Sequence, residues 1–171
     1  MSNKDYLLSC INSLSDCRVK VMCQAVVNDE RFQIAPGGSE HHHNYKHGLI
    51  QHVREVMRNA EQLSYGRPSD VLITSIIFHD YMKTRDYSIA EDGSVIKKQY
   101  RKLINHVSGS FGEFYYQAKT QGLLEEFIDE VSHCLLSHHG RREWGSPVEP
   151  LTADAFILHT ADMMSSRGIV L

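Results

Sequence analysis

The sequence predicts an all-α fold, a helical bundle with a small β-hairpin inserted near residues 86–97. Two observations predict the bundle. Apolar residues recur at spacings of three and four through most of the chain, the period of helices that bury one stripe. Breakers and capping residues such as Gly66-Arg67-Pro68-Ser69 and Gly122 separate those stretches. A third observation predicts the hairpin: short β-prone pieces flank Glu91-Asp92-Gly93.

The elements follow in order. Asp5 to Asn28 reads as two short helices, with Leu7, Leu8, Ile11 and Leu14 and then Val19, Met22, Cys23 and Val26 inward. Phe32 to Ser39 is rich in breakers and reads as a loop, continuing through His41 and His42. From Gly48 to about Ser64, Leu49, Val53, Val56, Ala60 and Leu63 share a helix face. Ser69 caps the next helix, where Leu72, Ile73, Ile76 and Ile77 form one stripe. Gln99 to about Thr120 reads as one helix, with Leu103, Val107 and Phe111 or Phe114 inward. Leu123 to His139 is the most periodic, through Leu124, Phe127, Ile128, Val131 and Leu135, with Gly140 just past its end. An irregular loop, residues 141–150, leads to a last helix capped by Thr152.

A chain of 171 residues is one domain by size, with N-terminal helices over residues 1–30 and a helical core over 31–171. Its 42% hydrophobic and 23% charged residues are those of a soluble globular protein. A net charge of −3 argues against a general nucleic-acid or membrane surface, so no long duplex is expected as a partner. Nothing approaches the roughly 18 apolar residues that span a bilayer, and the N-terminus has no signal-peptide core. Cys10, Cys17, Cys23 and Cys134 lack framework spacing and read as small buried hydrophobes in a reducing cytoplasm. Eleven histidines raise the question of a metal site.

His52, His79, Asp80, His106, His138, His139 and Asp162 all fall on or beside inward helix faces. An isolated His79-Asp80 pair has a bland reading, a carboxylate that caps a backbone beside a satisfied core histidine. Five helices that each turn an imidazole or carboxylate inward imply a shared centre instead. Nitrogen and oxygen donors without thiolate suit manganese, iron, cobalt, nickel or zinc. Seven candidates exceed the four ligands of a structural zinc, so two divalent transition-metal ions fit better. Arg141, just past the His138-His139 pair, is placed either to clamp a phosphate or to lie solvated in its loop. His133 reads as packing or surface, and His159 as a residue that could orient a ligand.

The order His52, His79-Asp80, Asp162 resembles the HD-domain phosphohydrolase superfamily, whose ligands follow H…HD…D along an all-helical core. With His106 and His138-His139 it is similar to the binuclear branch that includes HD-GYP phosphodiesterases. Lys83 stands where that branch has the lysine of HD-x-x-K. Residues 43–52, 137–147 and 158–162 resemble the HD domain of YhaM-type bacterial 3′→5′ exoribonucleases, although position 47 is His where that family commonly has Gly. The likeness covers roughly residues 30 to 171. It implies a binuclear centre, manganese or iron foremost, in which Asp80 bridges. His52, His79 and Asp162 would complete one ion's shell, and His106, His138 and His139 the other's. It also implies that Lys83 meets a substrate phosphate, and that His43 and Tyr45 lie near the pocket mouth, as substrate contacts or as loop packing. Those exoribonucleases carry an OB-type domain for which this length leaves no room, so the expected substrate is short.

Three functional readings stand at this point. One is a phosphodiesterase acting on short RNA or DNA ends, or on a small cyclic or oligonucleotide, in the manner of a 3′→5′ exonuclease. The second is a nucleotidase or nucleoside triphosphate hydrolase. The third is a nucleotide-binding regulatory domain without turnover, against which seven ligands and Lys83 argue. The sequence sets no oligomeric state.

Overall fold

The computed structural model describes residues 1–39 and 42–171; His41 lies outside them. In chain order the helices are α1 (Asn3–Ile11), α2 (Cys17–Asn28), α3 (Glu30–Ile34), α4 (Gly48–Leu63), α5 (Asp70–Phe78) and α6 (Lys83–Asp86). An antiparallel hairpin, β1 (Tyr87–Ile89) and β2 (Val95–Lys97), pairs Ser88 with Ile96. Then come α7 (Gln99–Leu103), α8 (Asn105–Thr120), α9 (Glu125–Ser137) and α10 (Ala153–Ser165). The fold is all-α with a small hairpin at the predicted place.

The bundle is built around α5. Every residue from Leu72 to Phe78 is buried, and the helix touches α1, α2, α4, α8, α9 and α10. A helix apolar on all sides belongs at the centre of a fold, so the single stripe expected for α5 is in fact a fully enclosed cylinder. Its C-terminal end therefore delivers His79 and Asp80 into the interior. Phe78 meets Phe114 of α8 edge-on at 5.4 Å between centroids, within the favoured range for aromatic pairs. Helix α10 packs along α4 and also reaches α5 and α9. Asn59 of α4 is fully buried. It donates to the Ile169 carbonyl at 2.9 Å and accepts from the Leu171 amide at 2.8 Å, which ties the last residues to α4.

Ser69 and Thr152 cap α5 and α10 as expected, accepting from Leu72 and Ala155 backbone N–H groups at 3.0 and 3.2 Å. Other expectations need correction. Residues 32–34, read as loop, belong to the short helix α3, because Asp29 accepts from the Arg31 amide at 2.8 Å and caps its first turn. The stretch from Gln99 to Thr120 is two helices. Asn105 takes φ +58, and its side chain accepts from the Val107 amide at 2.9 Å. Asn is one of the few residues that enter the left-handed region readily. That break leaves Leu103 72% exposed. Leu124 is 73% exposed because it precedes α9 in extended conformation, outside the periodic stripe. Cys17, at the start of α2, is also exposed rather than buried.

The loop before α4 closes tightly over the helix start. Gly37 N donates to the His43 carbonyl at 2.8 Å, and a Cβ at Gly48 would collide with that same oxygen. His47 precedes it at φ +70, so the position the resembled family commonly fills with Gly keeps a glycine-like backbone. Gly48→Ala is expected to cost about 1–3 kcal/mol, the usual penalty for overpacking, measured as a lowered midpoint in urea unfolding.

Candidate metal centre

Seven side chains converge where α4, α5, α8, α9 and α10 meet. Asp80 is at the middle, 1% exposed. Its Oδ2 lies 3.2 Å from His52 Nε2 and 3.4 Å from His79 Nε2. Its Oδ1 lies 3.4 Å from His106 Nε2 and 3.8 Å from His138 Nε2. One carboxylate thus faces two groups of donors. Asp162 Oδ1 is 3.1 Å from His52 Nε2, and His139 Nε2 is 3.2 Å from His106 Nε2. Two triads, His52 with His79 and Asp80, and His106 with His138 and His139, each hold their donor atoms within 4.8 Å of one another. All seven residues expected at the site are therefore brought together.

The outer ring nitrogens explain how the inner ones are aimed. His79 Nδ1 meets the Ile76 carbonyl at 2.8 Å, His138 Nδ1 that of Leu135 at 2.7 Å, and His139 Nδ1 that of Trp144 at 2.9 Å. His106 Nδ1 lies 2.9 Å from Asp86 Oδ2. Carbonyl and carboxylate oxygens only accept, so each Nδ1 carries the proton and each Nε2 presents a lone pair inward. His52 Nδ1 meets Ser165 Oγ at 3.0 Å. That hydroxyl donates to Glu55 Oε2 at 2.9 Å, so it accepts from His52. The same tautomer follows.

These lone pairs test whether the residues suit a metal. His106 and His139 face each other Nε2 to Nε2 at 3.2 Å. Two acceptors at that separation repel unless a cation lies against both. Asp80 Oδ1 and His138 Nε2 have no hydrogen-bond partner, though both are buried; such orphaned groups are costly without an ion. The donor set fits divalent transition metals.

The electrostatics agree. Burial, with the adjacent His139, holds His138 well below the usual imidazole range. Burial and His106 push His139 down to about 4, so both stay neutral and able to ligate. Burial also opposes charge on His52, but the hydrogen bonds it donates to Asp162 and Asp80 outweigh it and lift it to about 9. A pair of carboxylates that draws a proton to Nε2 draws a metal cation by the same attraction. Burial works against ionised Asp80, yet Lys83 and His79 hold it well below the carboxylate range.

Lys83 comes closer than its spacing suggests. Its Nζ lies 2.6 Å from Asp80 Oδ2 and donates to the Gly37 carbonyl at 2.7 Å. It lines a cleft of about 270 Å³ into the centre with Gly37, His42, His43 and His52. His43 is buried, its Nε2 3.0 Å from Glu55 Oε2. Tyr45 is half-exposed and donates to Gln51 Oε1 at 2.9 Å. Arg141 lies over the Trp144 ring at 4.8 Å, beside the carbonyl that holds His139. His159 Nδ1 donates to the His138 carbonyl at 2.8 Å, fixing the backbone of the His138-His139 pair. His133 stays outside, accepting from the Leu151 amide at 2.9 Å. Sequence reading missed Glu55, Asp86 and Ser165. Glu55 had a signal, three residues past His52 on α4. Asp86 had none, being twenty residues from the histidine it holds.

The HD domain family model matches residues 49–166. Among curated relatives, the "3'-5' exoribonuclease YhaM" of Shouchella clausii is 32% identical over 143 residues, 82% of this chain and 44% of that protein. The protein of that name from Geobacillus sp. is 32% identical over 142 residues, 81% of this chain and 43% of its own length. The one from Listeria welshimeri is 34% identical over 137 residues, 77% and 42%. The chain thus spans less than half the length of these relatives. No solved structure matches it. Among the described residues, no helix is long and apolar enough to cross a membrane.

Asp86→Asn is expected to weaken metal affinity about 10- to 100-fold, as losses of a carboxylate behind a ligating histidine do. Titration of the metal-free protein against a competing chelator measures it, with circular dichroism as the check on fold.

Proposed function

The chain belongs to the HD-domain family, and from that premise we propose that it is a metal-dependent phosphodiesterase acting from the ends of short nucleic acids or on small oligonucleotides. The observation that carries this reading is Asp80, a buried carboxylate whose two oxygens face two separate groups of imidazole lone pairs. His52, His79 and Asp162 would hold one ion, His106, His138 and His139 a second, and Asp80 both; manganese and iron suit the donors best. When bound, such ions supply a nucleophilic water at neutral pH and counter-charge for a phosphate.

The chain's own residues do the rest. Lys83 points its ammonium into the cleft beside Asp80, where it would meet a non-bridging phosphate oxygen as negative charge builds there. Gly37 holds that ammonium through its carbonyl, so the charge is placed before substrate arrives. Asp162 and Asp80 keep His52 oriented, and Ser165 with Glu55 fixes its tautomer. The exoribonuclease names of the relatives support a nucleic-acid substrate.

A panel of bis(p-nitrophenyl) phosphate against nucleoside mono- and triphosphates tests the reading, on protein whose metal content is measured. Hydrolysis of the diester is expected; turnover of monoesters or triphosphates alone would favour a nucleotidase. One to two transition-metal ions per chain are expected. Asp80→Asn should retain less than about a tenth of wild-type turnover, since a bridging ligand contributes several kcal/mol to the transition state. Lys83→Ala separates charge placement from ligation. A protonated lysine is no ligand, so metal content should stay unchanged while turnover falls about a hundred- to a thousandfold, the usual cost of one such donor. Less than about threefold loss, with normal metal, would place Lys83 outside the reaction.

A further inference from the structure

A second cavity, about 730 Å³ in volume, opens between the end of α3, the loop before α4 and the hairpin. Its size is that of a small-molecule site. It adjoins the cleft into the candidate metal centre along two stretches of chain. Pro36 and Thr84 line the cavity, while their neighbours Gly37 and Lys83 line the cleft into the centre. A row of rings joins the two spaces: Tyr45, on the cavity wall, lies 6.2 Å from His43, whose ring is 5.3 Å from that of the candidate ligand His52.

The lining has two chemistries. Ile34, Pro36, Tyr45 and Ile89 present apolar and aromatic surface, with Ile34 47% and Tyr45 44% exposed. Arg31, Lys46 and Lys98 stand against one acid, Glu91, although the chain as a whole carries −3. Arg31 is engaged by Asp29. Lys46 and Lys98 are exposed and form no ion pair among the described residues. A flat apolar wall rimmed by cations is what a nucleoside with a flanking phosphate needs: the base lies on aromatic surface and the phosphate meets ammonium groups.

We propose that this cavity holds the nucleoside next to the phosphate at the metal centre. Its base rests against Tyr45 and Ile89, and the following phosphate is met by Lys46 and Lys98. The assignment rests on the phosphodiesterase reading. It deepens that reading by making an oligonucleotide, rather than a mononucleotide, the ligand that fills the molecule.

The probe is fluorescein-labelled penta-adenylate with phosphorothioate linkages, bound to the metal-loaded full chain and followed by anisotropy. Wild type is expected to bind it at least tenfold tighter than adenosine monophosphate competes. Ala90→Trp, which fills the cavity from the hairpin, and the double variant Lys46→Glu/Lys98→Glu, which reverses its rim, should each weaken binding at least tenfold. Unchanged affinity in either variant overturns the assignment, as does a pentamer that binds no tighter than the monophosphate. Turnover of bis(p-nitrophenyl) phosphate by the same wild-type sample reads the reaction separately. Selective pentamer binding without turnover would sink the phosphodiesterase and leave the cavity standing, whereas turnover with indifferent variants would do the reverse.

Discussion

The placement of one carboxylate, Asp80, in the interior is the constraint on which the rest of this structure depends. An ionised group 1% exposed is tolerable only among compensating charges. Lys83 supplies one at 2.6 Å, and four imidazole nitrogens surround the two oxygens. Because Asp80 sits at the end of the enclosed helix α5, the surrounding helices have to be arranged so that each offers it a polar atom.

Precision at the centre comes from the backbone. Three of the candidate ligand histidines are held by carbonyls, those of Ile76, Leu135 and Trp144. Ile76 and Leu135 each lie three residues before their histidine, where the helix end leaves a carbonyl free. The end of a helix thus satisfies its own orphan acceptor and aims a ligand with one bond. His139 reaches forward to Trp144, and Gly140 between them takes φ +84. A side chain there would strike the His159 ring, which itself braces the His138 carbonyl. Rigid elements with ligands locked by a second layer of bonds are what a metal site needs to select its ion.

What the sequence disclosed divides along physical lines. Helix α4 was legible to within about one residue, because Gly48 and the stripe Leu49, Val53, Val56 and Ala60 are local signals. The inward placement of His52, His79 and His138 was legible for the same reason, since helical period assigns a face without knowledge of the partner; the register that placed His106 ran through Leu103 and is broken at Asn105. The errors fell where period stops applying. Leu103 and Leu124 stand at helix boundaries, which capping and the left-handed Asn105 decide rather than hydrophobicity. The second layer of the site was largely hidden. Asp86 supports His106 across twenty residues, and the Gly37 carbonyl holds Lys83 across forty-six. Contacts of that separation leave no trace in spacing, and a backbone acceptor leaves none in residue type.

The charge of the centre gives the arrangement its direction. Asp80 and Asp162 are held ionised, Lys83 is held protonated, and His138 and His139 are held neutral. His52, lifted to about 9, adds a positive charge, so the unloaded centre sums to about zero and offers a phosphate no net attraction. Loading with two dications, as proposed, would displace that proton and leave about three positive charges, and a phosphodiester would then be drawn in. Affinity for metal and affinity for an anionic substrate are therefore not independent in this fold, since the first creates the field that the second meets. The inward lone pairs of His106 and His139, which repel one another at 3.2 Å, also bias the unloaded bundle toward opening. Part of the free energy of ion binding would accordingly appear as folding stability, the coupling expected wherever a polypeptide brings like donors together before their cation.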